Sequence, residues 1–172
     1  MMKKIALPII LLFTGIVLFA QNQEDTLDLR PVNNISLNLL GDASIISINY
    51  ERQFLLSPNF ILSGKLGLGY NTEFKICIFG PCSPPENYLT IPHHITGNIG
   101  KERHFFEFGL GGTIINGNTT QHYLLYPIVG YRILPLRSKK ISFRIFTQIP
   151  FSGLETDDII FIPFGLNLGL SF

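Results

Sequence analysis

Along residues 160–172, IFIPFGLNLGLSF, every second side chain is large and apolar: Ile160, Ile162, Phe164, Leu166, Leu168, Leu170 and Phe172. The intervening residues are Phe161, Pro163, Gly165, Asn167, Gly169 and Ser171, and only Phe161 among them is large and apolar. Alternation of this kind is the period of a β-strand, whose successive side chains point to opposite faces. Gly, Asn and Ser fill an apolar core badly but suit a narrow polar interior. The apolar row then faces hydrocarbon on the outside. A strand that crosses a bilayer needs about 9–11 residues in this pattern. The stretch predicts the closing strand of a transmembrane barrel. One strand leaves open the reverse arrangement, a soluble sandwich or ligand-binding barrel with the apolar row inside.

The same alternation recurs upstream, between turn signals. Runs at 35–40, 45–54, 60–70, 88–99, 104–115, 121–134 and 140–149 precede the closing strand, which gives eight. An even number returns the chain to the side where it began. The fold class expected is all-β, an eight-stranded antiparallel up-and-down transmembrane β-barrel. The connections 55–59, 100–103 and 135–139 are tight and mostly basic, whereas 71–87, 116–120 and 150–158 are longer or more polar. Short turns on one side and long loops on the other are the habit of outer-membrane barrels. The short Gly41–Ser44 connection on the long-loop side breaks that pattern. Tyr50, Phe54, Phe60, Tyr70, Phe106, Tyr131 and Phe172 stand near strand ends, as interface girdles do.

Composition agrees. Only 15% of residues are charged although 46% are hydrophobic, a low charge for a surface that meets water. A net charge of +1 gives no electrostatic case for binding nucleic acid. Residues 1–20 have the form of a cleaved signal peptide: Lys3 and Lys4, the apolar run Ile5–Phe19, then Ala20. Residues 21–34 are polar and without period, a periplasmic leader, and 35–172 form the barrel domain. Export implies an oxidising compartment, so Cys77 and Cys82 in the 71–87 loop are expected to pair as a disulfide.

Strand parity places five charged side chains inside: Glu51, Lys65, Glu107, Arg132 and Arg144. Eight strands enclose an interior that side chains just fill. Charges there must pair, because an unpaired buried charge is very costly. Two carboxylates and three cations are expected to form a network of ion pairs, with a conducting or substrate-binding lumen as the sharper alternative. His94, Thr96 and Glu107 offer a His, a hydroxyl and a carboxylate on adjacent strands, the set needed for nucleophilic catalysis. Parity turns all three toward the interior. Gly109-Leu110-Gly111-Gly112 lies within a strand and is no phosphate cradle. No metal or cofactor is expected.

With INYER (Ile48–Arg52), GLGY (Gly67–Tyr70), FEFGLGGT (Phe106–Thr113), GYR (Gly130–Arg132) and the ending GLSF (Gly169–Phe172), the chain resembles small eight-stranded outer-membrane β-barrel proteins. The resemblance covers residues 35–172. It implies residence in the cell outer membrane, contact with its lipid, and delivery by the barrel-assembly machinery. Leu170 and Phe172 match the last positions of the assembly signal, while Asn167 stands where that signal favours Gly. Such barrels include structural anchors, adhesins and lipid enzymes, and a fold does not imply a function. The role expected is non-enzymatic, structural or exerted through loops 71–87 and 150–158 toward an extracellular partner. A deacylase-like lipid enzyme using His94, Thr96 and Glu107 is the alternative, since His94-Ile95-Thr96 is similar to the His-x-Ser pair of such enzymes.

Overall fold

A computed structural model describes residues 30–73, 84–136, 140–152 and 159–172. The signal segment, most of the leader, Cys77 and Cys82, and the tips of the 71–87 and 150–158 loops lie outside the described residues. Eight antiparallel strands pair in chain order: β1 (Asn33–Leu39), β2 (Ile46–Ser57), β3 (Phe60–Thr72), β4 (Asn87–Lys101), β5 (His104–Asn116), β6 (Tyr123–Ile133), β7 (Ile141–Gln148) and β8 (Phe164–Ser171). Pairing of β1 with β8 closes the barrel. At the seam, Asn33 and Phe172 exchange both backbone hydrogen bonds, at 3.1 and 2.9 Å. No helix occurs among the described residues.

The alternation sorts side chains as its period requires. In β7 and β8 burial switches at every residue, and the outward set is apolar except for Thr147, while Phe146 is the one large apolar side chain turned inward. Each strand contributes at least three large apolar or tyrosine side chains that are 39–68% exposed. The inward set is mostly polar, from Asn34, Ser36 and Asn38 on β1 to Asn167 and Ser171 on β8. The distribution is that of a soluble domain turned inside out.

The interior has three levels. Where the longer connections gather, Tyr88, Ile115, Leu124, Tyr126, Ile128, Phe146 and Ile159 form an apolar cluster. At the end with the short turns, Ile61, Phe105 and Leu134 pack with Leu55. The ion-paired side chains lie between the two.

Strand ends differ from the expected runs by up to four residues, β2 for example running to Ser57 rather than Phe54, and two of these differences have a clear cause. β1 begins at Asn33, because Asn34, polar enough to read as leader, points inward and donates to Ser142 Oγ at 2.9 Å. β8 begins at Phe164, not Ile160. Pro163 has no N–H for a ladder, and the chain before it turns over the barrel end. Ile159 there is buried in the apolar cluster with Phe161 against it, and Asn71 Nδ2 donates to the Ile160 carbonyl at 2.8 Å. The alternation of Ile160 and Ile162 therefore runs past the end of the strand it resembles.

Candidate functional site

All five charged side chains placed inside by parity are buried, and ion pairs connect four of them, Glu51, Arg132, Glu107 and Arg144. Arg132 on β6 and Arg144 on β7 are direct cross-strand neighbours. Like charges so placed repel, and two carboxylates separate them. Glu107 on β5 accepts from Arg144 Nε at 2.5 Å and lies 3.5 Å from Arg132 Nη1. Glu51 on β2 takes Arg132 Nη2 through both its oxygens, at 2.6 and 2.7 Å. Thr96 bonds to Glu107 as well. Aromatic packing adds to the pairing: the Arg144 guanidinium sits 4.2 Å and the Lys65 ammonium 5.6 Å from the centre of the Phe146 ring.

The remaining cation, Lys65 on β3, finds its partner in the connection between β1 and β2. Leu40, Gly41, Asp42 and Ala43 all have left-handed backbone, with φ of 61, 70, 56 and 51°. Leu40 N bonds to Ile45 O and Ser44 N to Gly41 O, which makes a compact left-handed turn. Three of its four residues carry a Cβ, and left-handed backbone costs such residues about 1–2 kcal/mol each. The turn folds into the barrel, and its interior contacts offset that strain. Asp42 is fully buried, its Oδ2 receives Lys65 Nζ at 2.7 Å and Asn38 Nδ2 at 2.9 Å, and His94 Nε2 lies 3.0 Å from its Oδ1. Its backbone carbonyl accepts from Thr113, the Ala43 carbonyl accepts from Asn71, and Ser44 meets Thr90 at 2.6 Å. This short connection breaks the length pattern because it is an infolded plug.

Asp42 completes the charge balance. Among the described residues, the buried charged ones are Asp42, Glu51 and Glu107 against Lys65, Arg132 and Arg144. His94, between Asp42 and Arg144 Nη2 at 3.5 Å, links the two halves of the network. Two residues escaped the sequence reading, Asp42 and Tyr126. Part of the signal for Asp42 was present: three inward cations against two inward carboxylates left one cation unpaired, and Asp42 is the acid of the turn that precedes β2. Tyr126, whose hydroxyl meets Thr113 at 2.7 Å and His94 Nε2 at 3.2 Å, gave no signal beyond strand parity.

His94, Thr96 and Glu107 are all buried, but His94 is oriented by Asp42, and the Thr96 hydroxyl is held by Glu107. The imidazole nitrogens meet Asp42, Tyr126 and Arg144. The set is brought into one network without a His–hydroxyl contact at Thr96. Among the described residues there is no cluster of three or more His, Cys, Asp or Glu side chains arranged to hold a metal. Leu170 and Phe172 point outward, 60% and 59% exposed. No protein-family model, no curated protein and no solved structure matches the chain.

Proposed function

We propose that the chain is an outer-membrane β-barrel with a non-enzymatic role, structural or exerted through its longer loops toward an extracellular partner. The observation that carries this reading is the apolar belt: every strand exposes large apolar side chains, while six charged side chains are buried inside and Arg52 and Lys101 are the exposed charges on the strands. Soluble monomers rarely expose contiguous apolar patches beyond a few hundred Å², and a belt around a whole barrel suits only hydrocarbon. The outward tyrosines fit the same surroundings. Tyr50 and Tyr70 donate to Asn33 and Asn87 at 2.8 and 2.6 Å, and Tyr123 and Tyr131 meet His93 and His104. A hydroxyl without water needs such a partner. Residues 1–20 supply the route of export, and Leu170 and Phe172 the contact with the assembly machinery. The filled, ion-paired interior favours an anchor or platform over a pore.

The test is migration on a detergent gel, unheated and boiled, with the chain taken from an outer-membrane fraction. A compact unheated band that slows on boiling is the expected result. A chain found in the soluble periplasmic fraction with no shift would overturn the reading in favour of a soluble ligand-binding barrel.

A further inference from the structure

One histidine stands on the outer belt near the middle of a strand. His93 on β4 lies in a cross-strand row with Tyr50, Leu66, Gly112 and Leu125, and the next row holds Arg52, Gly64, Ile95, Leu110 and Pro127. Each row lacks a side chain at a glycine, and a groove of about 760 Å³ opens across them. A Cβ at Gly64 would touch nothing within 4 Å, so the groove floor is open there. A Cβ at Gly112 would stand 2.1 Å from Tyr123 Oη, so this glycine lets the Tyr123 ring cross the sheet to His93. The rings stack with centroids 5.6 Å apart, and Nε2 meets the hydroxyl at 3.0 Å. Pro92 lies alongside, and pairing of β3 with β4 lapses there, passing from Leu66↔His93 to Gly69↔Thr90.

Hydrogen bonding fixes what this pair offers. His93 Nδ1 faces the Ile91 carbonyl at 3.3 Å, and a carbonyl only accepts. Nδ1 therefore carries the proton, Nε2 accepts, and Tyr123 must donate to it. The Tyr123 oxygen keeps its accepting lone pairs, and no donor is left over. The walls around it are apolar: Leu66, Ile95 and Leu110. A polar pair facing the hydrocarbon of a membrane marks a site.

From this geometry we propose that the groove binds one long acyl chain carrying a hydrogen-bond donor, a hydroxyl or an amide N–H, which it gives to Tyr123 Oη. The inference rests on the membrane reading above. The test uses the full chain refolded in octyl glucoside micelles and native mass spectrometry with two probes, methyl 3-hydroxypalmitate and methyl palmitate, which differ by one hydroxyl. The expected result is a one-to-one adduct, with the hydroxylated ester bound about three- to tenfold more tightly. Gly64→Phe, which fills open space, should lose both adducts while keeping the heat-dependent gel shift. His93→Leu/Tyr123→Phe should bind both probes equally. Equal binding by the wild type, or adducts indifferent to Gly64→Phe, would overturn the proposal. So would a dimer that Gly64→Phe abolishes, which would put a second copy in the groove. A chain that gives no heat shift and fractionates as soluble fails the membrane reading itself; a membrane barrel without probe discrimination fails this inference alone.

Discussion

Replacing Asp42 by Asn should cost the barrel about 3 kcal/mol of stability. The carboxylate is fully buried and meets Lys65 at 2.7 Å and His94 at 3.0 Å. Breaking a buried ion pair by removing one partner costs about 3–5 kcal/mol, because the other charge stays in a medium that solvates it poorly. Asn has nearly the same shape and keeps one carbonyl to accept from Lys65, which puts the effect at the low end. The variant interior would hold three cations against two carboxylates. With a urea dependence of about 2 kcal/mol per molar, the unfolding midpoint should fall by about 1.5 M. The assay is a urea titration of the refolded chain in detergent micelles, read by loss of the compact unheated band and by tyrosine fluorescence. Asp42→Asn/Lys65→Met restores two against two and should recover at least half of the loss, a coupling of about 1–3 kcal/mol. A midpoint within about 0.3 M of wild type, or a double variant equal to the sum of its parts, would refute the idea that the turn is held by charge.

Other perturbations test other parts of the fold. Gly109→Ala should destabilise by about 1–3 kcal/mol, since its Cβ would lie 2.3 Å from the Ile95 carbonyl oxygen, whereas Gly64→Ala should change the same urea midpoint negligibly. His94→Ala should leave the acyl composition of the membrane lipids unchanged by mass spectrometry; an altered composition would establish the lipid-enzyme alternative. Alkylation of Cys77 and Cys82 should add mass only after reduction, and equal masses with and without reductant would exclude the disulfide.

The barrel was legible because a two-residue period leaves few alternatives. Each of the eight alternating runs falls on a strand, and the inward positions of Glu51, Lys65, Glu107, Arg132 and Arg144 follow from counting residues along it. Parity needs no knowledge of partners, which is why it worked where register and loop paths stayed hidden. It also misleads at strand ends. Ile160 and Ile162 keep the period while Pro163 removes the ladder donor that a strand there would need. Asn33 and Asn34 look like leader because polar residues mark loops in soluble chains, but an interior of amides and hydroxyls admits them.

Asp42 lies beyond parity, because a turn has none. Its place follows from a balance that the strands leave incomplete. Three cations and two carboxylates cannot close inside a medium that solvates ions poorly, so the chain must supply another anion, expel a cation or lose a proton. Expulsion is barred to Lys65, whose strand runs on both sides of it in paired register. A projecting loop would leave Asp42 in solvent and Lys65 unpaired. Folding the turn inward costs about 1–2 kcal/mol for each non-glycine residue in left-handed backbone. Pairing the buried ammonium, worth about 3–5 kcal/mol, offsets that strain together with the bonds that Thr113, Asn71 and Thr90 make to the turn. The short Gly41–Ser44 connection, anomalous as an outer loop, has a physical cause once the interior is required to be neutral.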